Sequence, residues 1–178
     1  INPFETLTVT AGGGIVISGG YVHSTGAQTY NNPVTLGASV TLLADKLNLG
    51  TITATAPRVG LALVSQGAQV LGDITITGDL DVITGKGGLT GGVIQATGSK
   101  LSIGGMSTFT ADTAKGQVAT LTSAGNTFIG AVSLKEKNGG TWKVVEIVSI
   151  SALTMGETTV AGDLSLKTMR DISQDGPI

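Results

Sequence analysis

The chain has 178 residues, a formal charge of −2 and no cysteine, which excludes disulfides and thiolate metal sites. With no run of like charge there is no electrostatic case for nucleic acid or for insertion into an anionic membrane. The 28 glycines and 26 threonines, set against six aromatic residues, disfavour helices and suit short strands joined by tight bends.

In chain order, short aliphatic runs predict strands at 7–10, 15–18, 34–36, 40–43, 47–49 and 61–64. Glycine clusters such as Gly12-Gly13-Gly14 and Gly19-Gly20 separate them. A recurring phrase then begins. An apolar residue is followed two places on by Gly, four on by an aliphatic residue and six on by another. It reads Val70-Leu71-Gly72-Asp73-Ile74-Thr75-Ile76 and overlaps itself as Ile76-Thr77-Gly78-Asp79-Leu80-Asp81-Val82. It returns as Phe128-Ile129-Gly130-Ala131-Val132-Ser133-Leu134 and as Val160-Ala161-Gly162-Asp163-Leu164-Ser165-Leu166. Even spacing puts every marked position on one side of an extended strand. Further strands are predicted at 74–76, 80–83, 93–95, 101–103, 108–110, 119–122, 132–134, 144–150 and 164–166, with no helix.

Two architectures accommodate strands this short. An antiparallel sandwich uses longer strands and Asn-Gly or Asp-Gly hairpins, and only one of each dipeptide occurs. A parallel β-helix uses coils of about 20 residues with two or three short strands each. The repeated glycines share a side with the core aliphatics, as expected at a sharp corner where a side chain would collide. Gly72, Gly78, Gly130 and Gly162 are therefore read as structural corners of an all-β solenoid. Uneven intervals between copies imply irregular coils, about nine in all, in one body over 1–178. With no polar cap at either end, the chain reads as part of a longer repeat protein. The segment 135–146 departs from the pattern. It holds the only Trp and an Asn138-Gly139 turn signal, and is expected to form a hairpin or loop excursion.

Three phrases carry a family resemblance. They are the run from Gly26-Ala27-Gln28 through Asn31-Asn32-Pro33 to Gly37, the run Gly125-Asn126-Thr127-Phe128 to Leu134, and Ala152-Leu153-Thr154-Met155-Gly156 continuing through Val160–Leu166 to Ile172-Ser173-Gln174-Asp175-Gly176. Together they resemble the repeat region of filamentous-haemagglutinin-type exoproteins, the β-strand-repeat surface proteins of bacteria. The resemblance implies a right-handed parallel β-helix exported to the cell surface for adhesion or biofilm structure. Its partners would be a host or neighbouring-cell glycan or protein, flanking coils, or further copies stacked end to end.

The sequence offers little catalytic chemistry. His23 is the only histidine, no serine sits in a nucleophile elbow, and no catalytic residue, metal site or cofactor is assigned. Asp79 and Asp81, at alternate strand positions, place two carboxylates about 7 Å apart on one face. That spacing suits acid–base work on a polysaccharide or, more plainly, two solvated outward positions. Gly85-Lys86-Gly87-Gly88 lacks the ending and the helix of a phosphate loop. Thr-x-Thr pairs recur from 6–8 to 120–122, but their uneven intervals predict that they cannot all align on one flank. The candidate ligand-contacting group is Lys135, Lys137, Asn138 and Trp142, with Trp142 either stacking on a sugar or covering the coil beneath it.

Overall fold

The computed structural model describes residues 3–178. The chain winds through eight coils, and all pairing between named strands is parallel. Coil 1 contains β1 (Leu7–Val9), β2 (Ile15–Ile17) and β3 (Gly20–His23). Coil 2 contains β4 (Gln28–Tyr30), β5 (Val34–Leu36) and β6 (Val40–Ala44). Coil 3 follows with β7 (Leu47–Leu49), β8 (Ile52–Thr53) and β9 (Leu61–Ser65), and coil 4 with β10 (Ala68–Leu71), β11 (Ile74–Ile76) and β12 (Leu80–Thr84). Coil 5 has β13 (Gly92–Gln95), β14 (Leu101–Ile103) and β15 (Ser107–Asp112); coil 6 has β16 (Gln117–Leu121), β17 (Thr127–Phe128) and β18 (Val132–Lys137). Coils 7 and 8 carry two strands each, β19 (Trp142–Ser149) with β20 (Leu153–Thr158), then β21 (Asp163–Thr168) with β22 (Ile172–Gln174).

Stacking makes three faces. The first is split into β1-β4-β7 and β10-β13-β16-β19-β21; the second is β2 to β17, and the third runs unbroken from β3 to β22. Alternate residues of each strand point inward and stack on their register partners. Val22, Leu42, Leu63, Val82, Phe109 and Leu134 form one such column on the third face. From Leu42 onward these side chains are almost wholly buried. A strand only three residues long supplies one or two core side chains, so the core closes only because every neighbour repeats the pattern.

The corners explain the recurring glycine. A Cβ on Gly72 would lie 2.6 Å from the Gly50 carbonyl oxygen, and one on Gly78 would lie 2.6 Å from the carbonyl carbon of Val59. At Gly130 it would run into the Gly105 carbonyl, and at Gly162 into that of Lys143. In all four cases the obstacle is the backbone of the preceding coil. The glycines are thus needed for close approach along the stack, not for room in the interior. The aspartate after the glycine is used in the opposite direction. Asp73 Oδ1 accepts from Lys100 N at 2.8 Å and Asp79 Oδ1 from Met106 N at 2.8 Å, tying each corner to the next coil.

Buried amides complete other corners. Gln28 Nε2 donates to the Leu43 and Val22 carbonyls, and Gln117 Nε2 donates to Ala114 O while its Oε1 accepts from Thr84 Oγ1. Asn126 is wholly buried: its Oδ1 accepts from Gln95 Nε2 and Leu101 N, and its Nδ2 donates to Gln95 Oε1, Leu121 O and Val148 O. These groups satisfy carbonyls that regular pairing leaves free, as a buried turn requires. Tyr30 is buried with its hydroxyl donating to Gln28 Oε1, and burial pushes its pKa up to about 12.

Several expectations are corrected here. The coils number eight because some run well beyond 20 residues: Leu80 sits beside Ser107, 27 residues on. Residues 135–146 form no hairpin. β18 pairs with β15 and β20, β19 pairs with β16 and β21, and Asn138-Gly139 simply turns the coil from one face to the next. The Thr-x-Thr pairs, by contrast, are divided among the faces as their intervals predict: Thr8 and Thr120 lie on the first face, Thr53 and Thr75 on the second, Thr108 and Thr110 on the third. Thr35, Thr53, Thr75, Ser102 and Thr127 still form one outward column on the second face, because loops at the corners absorb the unequal intervals.

Candidate functional site

The four residues singled out as a ligand-contacting group do not assemble into one. Trp142 is fully buried, its Nε1 donating to Lys135 O at 3.0 Å and its backbone N to Glu136 Oε1 at 2.8 Å. It belongs to the core of coil 7 and cannot stack on a ligand. Lys135 points outward from β18 and pairs with Glu157 at 2.9 Å, both side chains about half exposed. Such a pair contributes little to stability. Lys137 is exposed at the end of the same strand. Asn138 adopts φ 52° and donates to Asp112 Oδ1 at 2.7 Å, which holds the turn.

The outer surface of the third face, over coils 1 to 4, is the most site-like region. Two outward columns cross it. One runs Tyr21, Thr41, Ala62, Asp81; the other runs His23, Leu43, Val64, Ile83. Tyr21 is 61% exposed, and its ring lies 5.7 Å from that of His23 at a 52° tilt. Ala62 is the smallest outward residue in either column. It leaves a hollow of about 270 Å³ bounded by Thr41, Arg58, Gly60, Asp79 and Asp81. A second hollow of about 380 Å³ opens along the other edge, lined by His23, Leu43, Ser65, Gln66 and Lys86.

Both hollows follow from the corners beside them. The crossing from the second face to the third takes two or three residues in five coils, but seven (54–60) in coil 3. That longer segment carries Arg58, held in the left-handed region at φ 59°. Such a backbone costs a non-glycine residue about 1 kcal/mol. The segment 85–91 likewise lengthens the corner after β12 and carries Lys86 to the rim of the second hollow. Sequence reading paired Asp79 with Asp81 and named His23 apart from them, but nothing in the spacing brought Tyr21 or Arg58 to the pair. Register sets Tyr21 in one column with Asp81, three coils away, and the long crossing of coil 3 brings Arg58 beside it.

Electrostatically, the first hollow combines both signs. Burial pushes the Asp81 carboxyl above the usual carboxylate range, and the charge of Asp79 adds to the shift; a hydrogen bond from Thr108 and the charge of Lys135 oppose it. Arg58 forms no ion pair with either carboxylate; among the described residues the ion pair present is Lys135–Glu157. One oxygen of Asp79 is committed to Met106 N. Thr41, Arg58 and Asp81, the last already accepting from Thr108, are polar groups that line the hollow with no ion pair among them. No cluster of metal-ligating side chains is present among the described residues.

Residues 58–135 and 143–178, well over half of the chain, match a family described as repeats of unknown function (DUF5649). The chain belongs to this family. The match begins at Arg58, just before β9, and is interrupted at 136–142, around the turn between β18 and β19, so it covers the last strand of coil 3 and the stacked coils from coil 4 onward. No curated protein and no solved structure matches the chain.

Proposed function

We propose that this DUF5649 solenoid is a non-catalytic rod segment of a secreted, cell-surface scaffold that serves adhesion. The observation that carries the reading is the separation of core from surface in every coil. Inward columns are predominantly apolar, with buried amides at some corners, and set the stack, while outward columns change from coil to coil without disturbing it. A rod of this kind lengthens by adding coils and displays side chains on flat lateral faces. Eight coils at about 4.8 Å each make a rod of roughly 40 Å. The resemblance to filamentous-haemagglutinin-type exoproteins supports the surface location and the adhesive role. Binding without turnover is supported by the engagement of Asp79 with backbone and by a single histidine in the chain.

A self-assembling filament or sheath subunit is the second reading. The inward leucines of β21, Leu164 and Leu166, are only partly buried and Ile172 is 50% exposed, so coil 8 offers apolar positions that a further coil or a second copy would cover. Electron microscopy of the purified chain across a concentration series separates the two. Discrete rods of ~40 Å, together with retention of bacterial cells on beads coated with the chain, are expected for the adhesive segment. Long fibres would put assembly first, and beads that retain no more cells than uncoated ones would overturn adhesion.

A further inference from the structure

The outer surface of the third face carries a more specific assignment. We propose that coils 1 to 4 bind a neutral linear glycan laid along the stack axis, with Tyr21 as the stacking platform and Asp81 and Arg58 as the hydroxyl-binding pair. The inference rests on the adhesive reading and names the ligand class and the site for it.

Geometry supplies the length. Tyr21 and Asp81 occupy one outward column three coil steps apart, about 14 Å along the axis. That is the reach of a few pyranose rings. An exposed tyrosine presents an apolar ring face to the C–H side of a sugar and a hydroxyl to its edge. Between the ends, Ala62 opens the hollow into which a ring substituent can descend, with Thr41 on one side.

Chemistry selects the class. A carboxylate accepts from a sugar hydroxyl and a guanidinium donates to one, and a pair of adjacent hydroxyls satisfies both at once. Asp81 and Arg58 line the same hollow without pairing with each other, and the Asp81 carboxylate keeps acceptor capacity beyond its one hydrogen bond from Thr108. Charge excludes the extremes. Asp79 and Asp81 repel a polyanion at one hollow, while Arg58 and Lys86 on the rims repel a polycation.

The test is calorimetric titration of the full chain with uncharged linear tetrasaccharides (cellotetraose, mannotetraose and tetra-N-acetylchitotetraose), beside a sulfated heparin tetrasaccharide and a chitosan tetramer. At least one uncharged member should bind without being cleaved. Tyr21→Ala should weaken it about tenfold through lost stacking, and Asp81→Asn or Arg58→Ala by about tenfold or more. Thr127→Ala, on the second face, should leave affinity unchanged and serves as the control. Preference for either charged probe, indifference to all three variants, or no binding by any uncharged member at millimolar concentration overturns the assignment. Bead retention by the Tyr21→Ala/Asp81→Asn double variant separates the two claims. Retention that persists in that variant sinks this site while the adhesive reading stands. Beads carrying the unmodified chain that retain nothing sink the adhesive reading itself.

Discussion

Coils 1 to 3 and coils 4 to 6 stack on the same three faces with different amounts of chain. On the second face, Ile15 to Val34 and Val34 to Ile52 are 19 and 18 residues apart, whereas Ile74 to Leu101 and Ser102 to Thr127 are 27 and 25. The strands do not lengthen in proportion. The excess enters the corners at 85–91, 96–100, 113–116 and 122–126. Under two of these loops the interior is held by Gln95, Asn126 and Ser99 rather than by aliphatic side chains. A parallel stack therefore tolerates variation where the backbone leaves the sheet, provided that buried amides replace the lost backbone partners. The crossing from the second face to the third is the exception: it stays at two or three residues in five of the six coils that have strands on both.

The largest effect should come from the corner common to both regions. Gly130→Val drives a side chain into the Gly105 backbone and should destabilise by about 3 kcal/mol or more. A thermal melt should show a drop in Tm of about 6 °C or more, and a variant melting with the parent would remove the close-approach argument for Gly72, Gly78 and Gly162 as well. Next is Asn126→Ala, which leaves several buried backbone groups without partners and should cost about 2–4 kcal/mol. Hydrogen exchange should show lost protection in coils 5 to 7 and unchanged protection in coils 1 and 2; uniform loss would mean that the two regions unfold as one unit.

A pair of insertions sharpens the contrast. Two residues added between Thr97 and Gly98, in a long loop, should change stability by less than about 1 kcal/mol. The same insertion between Gly104 and Gly105 should cost several times more, as read by denaturant midpoint. Equal effects would show that the short crossing is not under constraint. The smallest effect is electrostatic. The Asp81 carboxyl is raised above its ordinary 3.8, so the folded chain holds that proton more tightly than the unfolded one. Its cost to stability is absent below the unfolded value and is in full force above the folded one. Asp81→Asn should therefore raise Tm at pH ~7 and leave it unchanged at pH ~3. A rise of equal size at both values would assign the effect to packing.

The sequence determined the class of fold by itself. Fifteen of the strands are visible as short aliphatic runs, because one inward residue in two must be apolar whatever it packs against. Most of the other strands have inward positions that are polar or glycine, or are too short to show a period. Examples are Gln28 in β4, Gly20 in β3 and the two-residue β8 and β17. β20, with Leu153 and Met155 inward, is an exception. The position of Trp142 was not legible, since a tryptophan amid lysines beside an Asn-Gly turn reads as exposed until register sets it opposite the buried Gln117. Nor was the hollow on the third face. Asp81 could be singled out from its own strand, but its neighbours Thr41, Ala62 and Arg58 come from other coils. Periodicity within a strand is local and can be read from the chain, whereas the column a residue joins depends on how many residues each corner absorbs, and stacking against the neighbouring coils settles that number.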